Sequence, residues 1–147
     1  MSSKMNDLMI IERQLANVTV LNLAGNIKIG INNVRLRVTF RILIKERKNY
    51  ILLNLAEVSQ IDSSGLGELI AGYVSVKKNG GELKLLHVNT LVRELMILTK
   101  LLTVFEIFED ENEAILSFQR SFENFGMKQS QIITAELDKS LIKTLKP

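Results

Sequence analysis

The residues of this chain best placed to carry chemistry are Asp62, Ser63 and Ser64, set between the apolar run Ile51 to Leu55 and the small-residue stretch Gly65-Leu66-Gly67. An apolar strand running into an acid and two hydroxyls places those hydroxyls at the start of a helix. Backbone N–H groups there have no intrahelical partner and the macrodipole is positive, so the position accepts a capping oxygen or a phosphate. The small residues keep the approach to the hydroxyls open. Asp62-Ser63-Ser64-Gly65 therefore reads either as a plain helix cap or as a seat for a phosphorylation switch. Asp62 shapes the turn and helps present Ser63, or is itself the turn or capping carboxylate. Ser64 reads as the simple cap, and it is the second choice as acceptor because a cap assignment slips by one residue.

Other chemistries fit less well. His87 is the only histidine, near the end of a strand, where it reads as structural, although consecutive parallel strands could bring it near Ser63, the pairing a serine hydrolase needs. The Gly-x-Ser-x-Gly elbow is absent, since Ile61 and Asp62 precede Ser63, so the chain reads as no enzyme. With no cysteine and one histidine, a metal site would rest on carboxylates, and no calcium-loop pattern is present; no metal is expected. Gly65 and Gly67 lack the third glycine of a dinucleotide loop and no Walker lysine follows. No cofactor is expected, and ATP would come with a partner.

The elements that position these residues follow from hydrophobic periodicity. Leu8 to Gln14 and Val18 to Leu23 alternate as two strands split by Ala16-Asn17, a hairpin closed by Gly25. From Ile31 to Lys48 the period becomes helical: Leu36, Phe40, Leu43 and Ile44 share one face, and Arg37, Arg41, Lys45 and Lys48 form a basic stripe on another. That stripe reads as an ordinary solvated face and is assigned no site. Tyr50 to Leu55 is a nearly continuous apolar run, as for a central parallel strand buried on both faces. The helix after it carries Leu66, Leu69, Ile70, Tyr73 and Val76 on one face and stops at Asn79-Gly80-Gly81.

Leu83 to Val88 is the next strand, Leu91, Leu95 and Leu98 mark a helix, and Val104 to Phe108 a further strand. Asp110 with Glu113 resembles a capping box opening a last helix, which Gly126 ends. Alternating strands and helices imply parallel pairing through right-handed crossovers: an α/β fold with a small mixed, mostly parallel sheet, helices packed against it and only the first strand antiparallel. After Gly126, Ile133, Leu137, Leu141 and Leu145 recur every fourth residue. Such a helix is marginal alone, so residues 127–147 read as an amphipathic or mobile C-terminal extension that docks on the domain or pairs with another chain as a homodimer.

At 147 residues, 46% hydrophobic and 24% charged, the chain suits one globular core without staples or metals. Its apolar runs are too short to cross a bilayer, and Met1 to Asp7 show no secretory h-region, so the expected location is the cytoplasm. The absence of cysteine suits a reducing compartment. A charge of +3 with six phenylalanines and two tyrosines gives no sign of a nucleic-acid surface.

Leu53-Asn54-Leu55, Ile61-Asp62-Ser63-Ser64-Gly65-Leu66-Gly67, Gly80-Gly81-Glu82-Leu83 and Leu98-Thr99-Lys100-Leu101 stand in the order and spacing of a known family. From about Leu8 to Phe118 the chain resembles the STAS domain of bacterial anti-sigma factor antagonists. The resemblance implies the STAS fold over residues 1–126. It also implies a protein-binding module whose unphosphorylated form binds an anti-sigma factor that is itself a serine kinase, and so releases sigma. Phosphorylation of the first serine after the aspartate, here Ser63, ends binding, and a phosphoserine phosphatase restores it. Asp62, Ser63, Ser64 and Gly65 would then face the partner, with no nucleic acid and no membrane involved. The alternative is a scaffold or regulatory STAS module with no sigma factor downstream. One departure bears on this: switch members often carry acids just after the glycine that ends the second strand, where this chain has Asn26-Ile27-Lys28. A loop so altered suits a different kinase, or a module that is not phosphorylated.

Overall fold

Alternation of buried and exposed residues sets the first two strands. In the computed structural model, which describes residues 7–119, β1 (Met9–Leu15) and β2 (Val18–Ile27) form an antiparallel hairpin, with Leu15 opposite Val18. The remaining elements follow as α1 (Ile31–Lys45), β3 (Tyr50–Ile61), α2 (Ser63–Lys78), β4 (Glu82–Leu86), α3 (Thr90–Leu98) and β5 (Ile107–Phe108), and residues 111–119 form a final helix, α4. The sheet order is β1-β2-β3-β4-β5, and every pair after the first is parallel. This is the α/β order expected, with only β1 antiparallel.

A sequential parallel sheet with right-handed crossovers sets its connecting helices on one face. The main core lies there: Leu21, Leu23, Leu53, Leu55 and Leu85 from the sheet meet Leu36, Phe40 and Leu43 of α1, Leu66, Leu69 and Val76 of α2, and Val92 and Met96 of α3. Burying one such side chain contributes about 1.5–3 kcal/mol, and this layer is where most of the stability resides. On the other face Val18, Val20, Leu52 and Leu86 are buried outside that cluster. There the Arg13 guanidinium donates to Asn22 at 3.3 Å and pairs with Glu111 at the start of α4. The first compact unit closes at Ile115.

Several boundaries differ from the expected ones. The second strand continues past Gly25 to Ile27, because Gly25 takes a left-handed φ of 111° and the strand irregularity is absorbed there. β3 runs to Ile61 rather than Leu55. Two register shifts against β2, between Asn22 and Ala24 and between Gly25 and Asn26, insert extra residues in β3 and break its alternation. The last strand is only Ile107–Phe108, since Phe105 turns into the core and meets Tyr73 edge-on at 5.3 Å between ring centres. The Asn79-Gly80-Gly81 stop is formed: Gly80 has φ 78°, and the Gly81 N–H donates back to the Val76 carbonyl at 2.9 Å. The Glu113 N–H donates to Asp110 at 2.9 Å, so Asp110 caps α4. The expected stop at Gly126 and the apolar repeat Ile133, Leu137, Leu141 and Leu145 lie outside the described residues.

β3 outruns β4. Its pairing with β4 ends at Asn54, while its pairing with β2 continues to Ile61, so the site begins beyond the body of the sheet. Asn89 covers part of the bare edge, donating to the carbonyls of Val58 at 2.8 Å and Leu55 at 3.3 Å, while its Oδ1 accepts from Val92 N and caps α3.

Candidate functional site

Asp62 ends the extended β3 chain with φ −118° and ψ −179°, and is the N-cap of α2. One carboxylate oxygen accepts from the Gly65 N–H at 2.8 Å and the other from the Ile29 N–H at 3.1 Å. It thereby ties the start of α2 to the β2–α1 loop. Its backbone N–H donates to the Ile27 carbonyl at 3.4 Å. Burial works against the charge on Asp62, but the N–H groups of Gly65, Ile29 and Ser64, together with nearby Lys28, outweigh it and hold the carboxyl below its ordinary range.

This corrects the expected division of labour between the acid and the second serine. Ser64 is not the cap: its Oγ accepts from Asn33 Nδ2 of α1 at 2.6 Å, an interhelix hydrogen bond. Asn33 is 4% exposed, and its Oδ1 has no hydrogen-bond partner among the described residues. Asp62 wins the cap because it stands one residue before the first helical turn and has two acceptor oxygens for two loops.

Ser63 is the residue left over. It is exposed in the first turn of α2, and its hydroxyl makes no hydrogen bond among the described residues. An open hydroxyl over the N–H groups of a helix start can take up a phosphate without breaking a native contact.

Gly65, grouped with the partner-facing residues on sequence grounds, is buried and serves packing. A Cβ there would stand 1.8 Å from the Ile27 carbonyl oxygen, so only glycine lets α2 begin this close to the end of β2. The serines are therefore set by backbone contact with the neighbouring strand.

The loop that departs from the family's acidic pattern separates into two parts. Asn26 is buried, its Oδ1 accepting from Asn32 at 2.7 Å, whereas Lys28 is exposed and close enough to bias Asp62. Lys28 and the exposed Ile29 and Ile31 rim an open depression at the β2–α1 loop, whose Ile29 N–H is held by Asp62.

His87 does not join the site. It follows β4 with φ 54°, and its N–H donates to the Phe108 carbonyl at 2.9 Å. The β3–β4 register sets it level with Leu55, and the strand from there to Ile61 covers roughly 20 Å at ~3.3 Å per residue. The length of β3 thus keeps His87 away from Ser63, in keeping with a structural histidine at a strand end. Sequence reasoning also missed Asn33, whose tie to Ser64 spans 31 residues. An asparagine on a helix face otherwise marked as core was the only available signal. Among the described residues no group of three His, Cys, Asp or Glu could hold a metal, and no helix is long and apolar enough to cross a membrane.

Comparison with known proteins agrees with this geometry. Residues 10–114 match the STAS domain. An anti-sigma F factor antagonist of Paenibacillus polymyxa is 30% identical over 70 residues, which make up 48% of this chain and 60% of that relative. A Thermotoga maritima protein assigned as an anti-sigma factor antagonist superposes with a TM-score of 0.70 at 25% identity, over 76% of this chain and 95% of that one. The phosphorylated form of the Bacillus cell-fate determinant SpoIIAA superposes at 0.60 with 20% identity, over 73% and 96% of the two chains. Because the match runs from the first strand into the final helix, on the fold that presents an exposed serine at the start of α2, the chain belongs to the STAS domain family.

Proposed function

We propose that the protein is an anti-sigma factor antagonist in which Ser63 is the phosphorylated switch. The unphosphorylated protein binds a serine-kinase anti-sigma factor through the Asp62–Ser64 turn and so releases a sigma factor; phosphate on Ser63 ends that binding and a phosphoserine phosphatase restores it. The observation that carries the reading is the free hydroxyl of this turn: among the described residues Asp62 is committed to capping, Ser64 to Asn33, and Ser63 to none. A phosphate adds close to two negative charges at neutral pH, and the helix start tolerates them, so the change falls on the partner's side of the contact. The chain itself performs no catalysis in this cycle. Gly65 contributes by holding the turn in place, and a cytoplasmic location goes with a partner of this class.

A second reading keeps the fold and drops the sigma factor: a scaffold or regulatory STAS module that binds without being phosphorylated. Lys28 supports it, because it places a positive charge beside the acceptor where switch members often have acids. One experiment separates the two. The protein is mixed with serine-kinase anti-sigma factors and ATP, and phosphate is located by mass spectrometry, with Ser63→Ala and Ser64→Ala alongside. Phosphate on Ser63, absent in Ser63→Ala and retained in Ser64→Ala, supports the switch; binding to a kinase without modification supports the scaffold.

A further inference from the structure

Helix α1 has two apolar faces, of which only one is used by the core. Leu36, Phe40 and Leu43 are buried against the sheet. At ~100° per residue, Ile31, Val34, Val38 and Ile42 fall on the opposite side of the helix, and they are between 42% and 68% exposed. Four branched aliphatic side chains on the solvent side of one helix form a contiguous stripe of the kind that marks an interaction surface. Beside them, between α1 and β1, lies an open groove of about 500 Å³ walled by Val34, Val38 and Ile42 and floored by Ile10 and Leu21.

The charges around this surface are mixed but net basic: Arg35 and Glu12 both line the groove, and Arg41, Lys45, Lys48 and Glu46 lie around it. Arg41 and Lys45 border the stripe and form no ion pair among the described residues, and Arg35 lines the groove, hydrogen-bonded to the Leu8 carbonyl. The acids nearby are already taken: Glu12 and Glu46 both pair with Lys48 at 3.4 Å. A second copy of the chain would bring no free carboxylate on this face to meet Arg41 and Lys45. A bilayer has no ridge to fill a groove. We infer that the groove between α1 and β1 binds an acidic amphipathic helix of a partner protein, whose apolar ridge lies on Val34, Val38 and Ile42 and whose carboxylates meet Arg35, Arg41 and Lys45. The groove shares no lining residue with the depression at the β2–α1 loop.

The test uses the full chain and two fluorescein-labelled 18-residue helical peptides with the same leucine positions, one with glutamates and one with lysines elsewhere, followed by fluorescence anisotropy. The acidic peptide should bind at least tenfold more tightly than the basic one at low salt, and weaken as salt rises. Val38→Asp and the pair Arg41→Glu with Lys45→Glu should each reduce its affinity at least tenfold, with the unfolding midpoint unchanged because all three side chains are exposed. Equal binding of the two peptides, or none, overturns the proposal. A wild-type dimer in sedimentation that Val38→Asp dissociates overturns it in favour of a second copy. Val38-dependent binding to phosphatidylglycerol vesicles overturns it in favour of a membrane surface.

Discussion

Asn33 Nδ2 donates to Ser64 Oγ at 2.6 Å and so joins α1 to the first turn of α2 directly behind the exposed Ser63. The two serines are neighbours in sequence but differ in availability. One is held by a buried amide, and the other faces solvent. Asn33→Ala should release Ser64, so that phosphate is expected on both serines, whereas in the wild type it is expected on Ser63 alone. Site occupancy by mass spectrometry after kinase treatment checks this. Ser64→Ala should leave Ser63 as acceptor and lower stability by about 1 kcal/mol in a denaturant titration.

Gly65 and Gly67 lie two residues apart and should respond to the same substitution in opposite ways. A Cβ at Gly65 meets the Ile27 carbonyl oxygen at 1.8 Å, a backbone atom that cannot swing away, whereas one at Gly67 meets nothing within 4 Å. Gly65→Ala should cost about 3 kcal/mol or more, as expected of severe overpacking. Gly67→Ala should be neutral or stabilising by up to ~1 kcal/mol, from helix propensity. Paired urea titrations decide the matter, and similar losses in both would contradict the close approach of α2 to β2.

Asp62 makes the stability depend on pH. Its carboxyl titrates lower in the folded chain than its ordinary 3.8, so its contribution is present above that value and is lost as pH falls through the folded-state pKa. Asp62→Ala should therefore be less stable than wild type by ~1 kcal/mol at neutral pH, with the gap shrinking below about pH 4. Asp62→Asn keeps an acceptor for the cap and should lose the pH dependence while retaining most of the stability. Thermal unfolding across a pH series reads both outcomes.

The contact of α1 with α2 is set by another glycine. A Cβ at Gly72 would stand 2.4 Å from the Phe40 ring. Gly72→Ala must push that ring aside and should cost ~1–3 kcal/mol. Combining it with Phe40→Leu should cost less than the sum of the single changes, because the smaller side chain makes the room the methyl needs. A double-mutant cycle measures the coupling.

Much of this architecture is legible in the residues themselves. The change from a period of two to a helical period at Ile31, the apolar run Tyr50 to Leu55 and the Asn79-Gly80-Gly81 stop are local signals, and each marks an element that forms. The second half of β3 is not legible, because Ala56, Glu57, Ser59 and Gln60 are exposed and the bulges displace the buried positions from strict alternation. The serine pair is visible in sequence, but its sorting into a held and a free hydroxyl rests on Asn33, far away in the chain. The solvent-side stripe of α1 was hidden for another reason. Val34, Val38 and Ile42 are the same residue types as the core, and only the observed packing shows which apolar face is covered.

The unequal lengths of β3 and β4 have a bearing on solubility. Beyond Asn54 the edge of β3 away from β2 has no strand beside it among the described residues, and an uncovered edge is a template on which another chain can hydrogen-bond and begin to aggregate. Asn89 occupies that edge with one amide, satisfying two of its carbonyls while capping α3. With those two carbonyls engaged, part of the edge of the strand that leads to Ser63 is closed to a pairing chain.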